Sequence, residues 1–168
     1  KKNAMNYSIY VESTPNPEVM KFVANRMLAD KSVEITTLDE AKGISIAEEL
    51  LKFPFVKSIY LNANFISITK TKEITWEDIA MHLRTFIVEH LNNNGIKNYT
   101  EHISKKENKS TNNNKTKKKQ FNKKEQAVEK LLNEYIKPAV EADGGSITLN
   151  YYKNNIVCVD LKGACSGC

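Results

Sequence analysis

Cysteine is scarce in this chain, with three residues in 168, and long apolar runs are missing as well. So few cysteines exclude a disulfide-dense secreted scaffold. No run of about 18 apolar residues is present, which excludes a transmembrane helix. Residues 7–23 alternate polar and apolar side chains, whereas a signal peptide needs a continuous apolar block. These absences predict a soluble protein of a reducing compartment.

The net charge of +5 comes from one segment. Residues 97–125 hold ten lysines and three glutamates, and the rest has 15 basic and 17 acidic residues. Because apolar residues are sparse from 92 to 124, this stretch cannot offset its chain entropy by burial. We therefore predict a disordered linker at 93–122 between domains at 5–92 and 123–168. Without interleaved aromatic side chains, its lysines favour a solvated tether over a nucleic-acid-binding arm.

The first domain mixes strand and helix patterns, which predicts an α+β fold with a mainly antiparallel sheet. Ser45 with Glu48, and Thr75 with Asp78, have the spacing of capping boxes and predict two helix starts. Trp76 is expected to anchor the second helix. The predicted strands cover residues 7–12, 19–24, 56–61 and 65–69, with a hairpin turn at 62–64.

No catalytic constellation is recognisable in this first domain. His82 and His90 are eight residues apart, whereas two histidines that share a metal on one helix are four apart. We therefore expect surface or packed histidines here, and we predict no enzyme activity.

The second domain is predicted to be a helix followed by a β-hairpin, which is again α+β. The helix covers residues 125–140, and Pro138 should kink or end it near Lys137. Strands are predicted at 146–152 and 156–161, with Ile147, Leu149 and Tyr151 on one face. Beyond the second strand, Cys165 and Cys168 form a C-x-x-C motif whose two sulfurs are able to face one ion.

The C-x-x-C motif has three interpretations from its chemistry. A redox dithiol usually opens a helix of a βαβ unit, but this motif follows a hairpin. Structural zinc needs four protein ligands, and the only other thiol, Cys158, is expected to be a buried strand residue. A four-iron cluster needs about four thiolates, which two chains would supply with Cys165 and Cys168 each. Glycines at 163 and 167 would leave backbone N–H groups available to sulfides or thiolates.

Longer motifs accompany the two cysteines. Leu131-Leu132-Asn133-Glu134-Tyr135-Ile136-Lys137-Pro138-Ala139-Val140 precedes Asp143-Gly144-Gly145, and Gly163-Ala164-Cys165-Ser166-Gly167-Cys168 follows. Over residues 128–168 this pattern closely resembles the C-terminal domain of NifU-like (Nfu-type) iron–sulfur proteins. The first domain resembles the Nfu N-terminal domain. That second resemblance rests on Thr14-Pro15-Asn16-Pro17, Lys21-Phe22-Val23, Val56-Lys57-Ser58-Ile59-Tyr60, Asn64-Phe65-Ile66-Ser67-Ile68 and Trp76.

The resemblance implies a scaffold or carrier that holds a [4Fe-4S] cluster between two C-x-x-C motifs, with a [2Fe-2S] cluster as the alternative. It implies that Cys165 and Cys168 are the ligands and that the loaded form is a homodimer. Its partners would be upstream assembly factors and apo iron–sulfur recipient proteins, with no membrane partner. Family members continue past the second cysteine with a Pro-Ser-Ser-like turn and a helix, so we expect this chain to be a fragment.

The leading alternative function is a thiol–disulfide oxidoreductase that uses Cys165 and Cys168. It predicts a depressed thiol pKa and reductase turnover without iron. The sequence shows no Arg-rich amphipathic leader, which favours the bacterial cytoplasm over an organelle.

Overall fold

The computed structural model of the chain describes residues 6–96 and 121–166. We name these ranges the N-terminal unit and the C-terminal unit. Most of the predicted linker, the first five residues and Cys168 lie outside the described residues. The N-terminal unit contains β1 (Ile9–Ser13), β2 (Val19–Ala24), β3 (Ala29–Ile35), α1 (Leu38–Ala41), α2 (Ser45–Leu50), β4 (Val56–Ala63), β5 (Phe65–Lys70) and α3 (Trp76–Asn94). The C-terminal unit contains α4 (Lys123–Leu131), a π-helical segment (Leu132–Ile136), α5 (Lys137–Ala142), β6 (Gly145–Lys153) and β7 (Ile156–Gly163).

The N-terminal unit is an antiparallel sheet of five strands, in the order β1-β2-β5-β4-β3, with its helices packed on one face. Leu83 and Ile87 of α3 are fully buried against sheet residues such as Phe22 and Ile66. Trp76 is buried at the start of α3, where its indole Nε1 donates to the Pro17 carbonyl oxygen at 3.0 Å. The predicted α+β class and the anchoring role of Trp76 are confirmed.

Two predicted helix caps differ from the observed ones. The helix at Ser45 forms, but the Ser45 hydroxyl shares a hydrogen bond of 3.0 Å with His90 Nε2 instead of capping. The Thr75 hydroxyl donates to the Asp78 carboxylate and leaves the backbone of α3 uncapped by a side chain. A true capping box lies at Thr37 and Glu40, before the short helix α1 that the apolar pattern did not predict. Strand β3 was also not predicted.

The helix of the C-terminal unit continues through Pro138, but its regular α-helical hydrogen bonding is interrupted just before Lys137, where a kink or an end was predicted. A π-helical segment precedes α5, and the Lys137 N–H donates to the Leu132 carbonyl, five residues earlier. A proline inside an α-helix clashes with the carbonyl four residues before it, and the wider π-turn relieves that clash. The helix packs along β6.

The hairpin of β6 and β7 contains a bulge between Leu149 and Tyr151. A bulge inserts one residue and reverses the alternation of faces beyond it. Tyr151 is therefore 43% exposed, although it was predicted to share the face of buried Ile147. Cys158, paired with Tyr151, is only half-buried, whereas a buried cysteine was expected.

Candidate functional site

The site is built around Cys165, in a turn that follows β7. We name residues 163–166 the thiol loop. Gly163 has φ +69°, and the Ser166 N–H donates to the Gly163 carbonyl at 3.0 Å, which closes the turn. The Ala164 N–H donates to the Gly144 carbonyl at 3.2 Å, so the Asp143-Gly144-Gly145 turn holds the loop in place.

Gly145 explains why the double-glycine turn and the thiol loop occur together. It is paired with Gly163 across the hairpin. A Cβ on Gly145 would lie 2.8 Å from Cys165 Sγ and 2.6 Å from the Lys162 carbonyl oxygen. The Cys165 side chain therefore lies directly over Gly145, in space that any other residue would fill.

The predicted backbone N–H groups of the loop are already engaged. Besides the bonds of Ala164 and Ser166, the Gly163 N–H donates to Glu34 Oε1 at 3.3 Å. The prediction of an available N–H is therefore wrong for Gly163, because Glu34 accepts from it, and Gly167 lies outside the described residues.

The outer face of the N-terminal sheet, opposite its helices, carries one row of residues beneath the loop. Glu12, Lys21, Ser67, Tyr60 and Glu34 are direct cross-strand neighbours over all five strands. Directly paired residues of antiparallel strands point to the same face. We name this set the cross-strand row.

The cross-strand row contacts the turns that support the thiol loop. The buried Ser67 hydroxyl donates to the Gly144 carbonyl oxygen at 2.8 Å. Lys21 Nζ donates to the Ala142 carbonyl oxygen at 3.0 Å, at the end of α5. Tyr60 packs so closely against Gly163 that a Cβ there would lie 2.7 Å from its ring. The N-terminal sheet is thus the floor of the site.

Tyr60 is enclosed at this contact. Burial raises the pKa of the Tyr60 hydroxyl above its ordinary value, and the neighbouring Ser146 hydroxyl opposes that shift to a smaller extent. Among the described residues its oxygen makes no hydrogen bond of ordinary geometry. Tyr60 is therefore a neutral packing group at working pH.

Asn16 connects the Thr-Pro-Asn-Pro turn to the loop. Its Nδ2 donates to the Ala164 carbonyl oxygen at 3.2 Å, while its Oδ1 accepts from the Glu18 N–H at 3.0 Å. The sequence predicted only a rigid turn here. The resemblance to the Nfu N-terminal domain included this motif, as well as those that contain Lys21 and Ser67, but it assigned none of these three side chains a contact with the thiol loop.

A small cavity of about 300 Å³ opens beside the loop, between the two units. It is lined by Glu34, Thr36, Lys57, Ser58, Thr69, Gly163 and Ser166. Its lining includes a carboxylate, an ammonium group and several hydroxyl groups, so it offers hydrogen-bonding groups and charges of both signs next to the loop.

The ligand inventory is short. Within residues 6–96 and 121–166, no group of three or more His, Cys, Asp or Glu side chains is placed to hold a metal ion. His82 packs edge-on against Phe53, and His90 pairs with Ser45, as expected for packed surface histidines. Cys165 is described, but Cys168 is not, so its place beside Cys165 stays a prediction.

None of the described helices is long and apolar enough to cross a membrane. Within residues 121–166, Cys165 lies in a turn that follows a strand.

Two family models match the chain. The model described as scaffold protein Nfu/NifU N terminal matches residues 9–94. The NifU-like domain model matches residues 128–168.

Individual relatives have similar names. The human protein named NFU1 iron-sulfur cluster scaffold homolog, mitochondrial, is 25% identical over 162 residues, which cover 95% of this chain and 60% of the human protein. The Drosophila ananassae protein of the same name is 28% identical over 173 residues, covering 98% of this chain and 56% of the fly protein. The chain thus spans 60% or less of these relatives' length.

A solved structure is also similar. The solution NMR structure of a NifU-like protein from Saccharomyces cerevisiae superposes with a TM-score of 0.49 at 23% identity, covering 58% of this chain and 90% of the yeast chain.

The family follows from the two family models. Because the first model matches half of the chain and the second matches the part that holds the thiol loop, the chain belongs to the Nfu/NifU family of iron–sulfur cluster scaffold proteins.

Proposed function

We propose that this chain is a non-enzymatic carrier that binds an iron–sulfur cluster as cargo through Cys165 and Cys168 and passes it to apo-proteins. One observation carries the proposal. The Cys165 sulfur is held over Gly145, at the end of a hairpin, in a turn that is clamped by hydrogen bonds. A thiolate fixed at the tip of a small domain suits a soft metal centre that must be handed on.

The ligand count favours a cluster shared by two chains. A four-iron cluster needs about four thiolates, and one C-x-x-C motif supplies two. Within the described residues, no group of three or more His, Cys, Asp or Glu side chains is placed to hold a metal ion within one chain. We therefore propose a [4Fe-4S] cluster between two chains; a [2Fe-2S] cluster with the same four thiolates is the smaller alternative.

Transfer proceeds by ligand exchange. A recipient thiolate forms a new iron–sulfur bond as the bond to Cys165 or Cys168 breaks, and the displaced thiolate takes up the proton that the recipient thiol lost. No electron changes hands in these exchanges. The recipients are apo iron–sulfur proteins, and the cluster is supplied by upstream assembly factors.

The test is anaerobic reconstitution with ferrous iron and sulfide, followed by Mössbauer spectroscopy. Cys165→Ser and Cys168→Ser should abolish the cluster signal. Cys158→Ser is the matched control, because it removes a half-buried strand thiol outside the loop. An apo four-iron recipient protein added to the loaded chain should then acquire the signal.

Two results would contradict the proposal. One is loss of the cluster in Cys158→Ser at an unchanged melting temperature. The other is disulfide reductase turnover by the iron-free chain with no cluster in any variant, as the oxidoreductase alternative predicts.

The cellular location is a separate point. The human and fly relatives are named mitochondrial, and the bacterial cytoplasm stays a prediction for this chain.

A further inference from the structure

Four hydrogen bonds between described residues join the two units, and in each the C-terminal unit contributes only main-chain atoms. The carbonyl oxygens of Ala142, Gly144 and Ala164 accept from side chains, and the Gly163 N–H donates to one. The partners in the N-terminal unit are the side chains of Asn16, Lys21, Glu34 and Ser67. The N-terminal sheet therefore forms its hydrogen bonds with the main chain of two turns, and not with their side chains.

The charges of the contact are complementary. Lys21 lies at the carbonyl end of α5, where the helix dipole places partial negative charge. Its side chain is 11% exposed and is held by Glu12 at 3.4 Å and by the Phe65 ring at 4.6 Å. At the other end of the row, Glu34 accepts from the Gly163 N–H. A positive group meets carbonyl oxygens, and a carboxylate meets an amide.

Apolar burial supports the same contact. Val23, Tyr60 and Phe65 form a separate buried cluster on the outer face of the sheet, away from the main core. Gly163 covers the Tyr60 ring. Most antiparallel sheets with helices on one face leave the other face to solvent, but here three large side chains of that face are at least 95% buried.

Two glycines make the close approach possible. A Cβ on Gly144 would lie 2.7 Å from Ser67 Oγ, and one on Gly163 would lie 2.7 Å from Tyr60 Cδ1. Both glycines also have positive φ, +85° and +69°. The turns that hold Cys165 in place are thus the turns that fit the sheet.

We infer that the cross-strand row, together with Asn16, is a binding surface for the thiol loop of its own chain, and that this docking competes with the sharing of a cluster between two chains. The competition between docking and cluster sharing rests on the proposed function. In the docked form the sheet covers Ala164 and holds the Gly163 N–H, which leaves one side of the loop closed to a second chain. Because both units belong to one chain, modest contacts suffice for docking.

The test uses two substitutions that oppose docking in the full chain. Ser67→Glu places a larger anionic side chain against the Gly144 carbonyl. Asn16→Asp keeps the oxygen that accepts from Glu18 but replaces the donor to Ala164 by a second oxygen. Thr85→Glu is the control, since it adds the same charge on the exposed side of α3. Trp76 fluorescence and circular dichroism verify that each variant is folded.

The readout is alkylation of the iron-free protein by N-ethylmaleimide, resolved by peptide mass spectrometry. Trypsin separates the peptide that begins at Gly163 from the peptide that ends at Lys162 and contains Cys158, so Cys158 is an internal reference. We expect Cys165 to react at least about fivefold faster in Asn16→Asp, the ratio that one typical net hydrogen bond represents. Ser67→Glu should exceed this ratio, and Thr85→Glu should match the unchanged chain.

The outcomes separate the two proposals. Unchanged Cys165 rates in folded Asn16→Asp overturn docking, whether or not any variant binds a cluster. Accelerated alkylation with no cluster in any variant supports docking and contradicts the carrier function. If Cys165 is alkylated faster and the cluster is acquired faster in both variants, docking competes with cluster sharing. If Cys165 is alkylated faster but the variants acquire the cluster at the same rate as the unchanged chain, the competition is overturned.

Discussion

The two units bury their apolar residues very differently. In the N-terminal unit, Leu83, Ile87 and Ile66 are fully buried in one core between the sheet and α3. In the C-terminal unit, only Ile147 and Ala164 are buried apolar residues among those described. Its exposed large apolar side chains are Leu131, Tyr135, Ile136, Tyr151, Ile156, Val157 and Leu161.

The burial that the C-terminal unit does have is concentrated where it meets the sheet. Residues 144–147 and 163–164 are buried, whereas the far end of the hairpin is exposed. Contact with the N-terminal unit thus adds to the order that hydrogen bonds within the C-terminal unit give the thiol loop. The comparison teaches that the first unit is stabilised by its own core and that the second is stabilised mainly at its functional end.

The largest expected difference is between two helix leucines. Leu83→Ala should cost about 2–5 kcal/mol, because it leaves a cavity in the main core. Leu131→Ala should cost less than about 1 kcal/mol, because that side chain is 57% exposed. Urea unfolding followed by circular dichroism measures both. Equal losses would break the comparison, since Leu131 would then belong to a core as important as that of the first unit.

The next largest predicted loss of stability comes from replacing either of two glycines that have a positive φ. Gly95→Ala, at φ +63° with nothing within 4 Å, should cost about 1 kcal/mol of backbone strain. Gly144→Ala should cost roughly 1 kcal/mol more, because its Cβ also breaks the bond from Ser67. Thermal unfolding compares the two variants. If Gly95→Ala proved the more destabilising, Gly144 would not be a docking residue.

Each unit contains a capping box, and removing either one tests whether the cap stabilises its helix by about 1 kcal/mol. Thr37 caps α1 and Asn122 caps α4, both with a reciprocal glutamate. Replacing either by alanine should cost about 1 kcal/mol. In Asn122→Ala we expect this loss as faster amide hydrogen exchange along α4, since no residue of that helix is buried. Unchanged exchange in α4 would show that packing, and not the cap, fixes its first turn.

The smallest predicted effect is a pH dependence in the N-terminal unit. Burial lowers the pKa of His90, and the Glu49 carboxylate opposes this to a lesser extent. The unfolded chain therefore binds the proton more tightly, so stability is complete above about pH 6.5 and decreases below it. His90→Gln should flatten the unfolding free energy between pH 7 and 5. A slope that persisted in this variant would assign the dependence to another group.

The sequence predicted the elements whose pattern is local. Strands β2, β4 and β5 and the helix after Trp76 carry alternating or helical periodicity, and all of them form. Strand β3 reads Ala-Asp-Lys-Ser-Val-Glu-Ile and was missed, because three consecutive residues of this edge strand are polar and exposed. Tyr151 was placed on the wrong face because a bulge leaves no mark in a pattern with period two.

The candidate site was predictable in part, again because some of its residues belong to patterns that are local in the sequence. Cys165 and the double glycine each belong to a short motif that the family resemblance includes. Ser67 and Lys21 look like ordinary strand residues, and their role depends on a contact between residues 77 and 121 positions apart in sequence. Long-range pairing of this kind cannot be read from periodicity.

The central claim is that two chains share one cluster through the four thiolates of Cys165 and Cys168 of each chain. Native mass spectrometry of the anaerobically reconstituted protein tests it most directly, with the Cys165→Ser/Cys168→Ser chain as the control. The account predicts a species of two chains with four irons and four sulfides, absent from the control. A loaded species with a single chain, or the same two-chain species in the serine control, would contradict it.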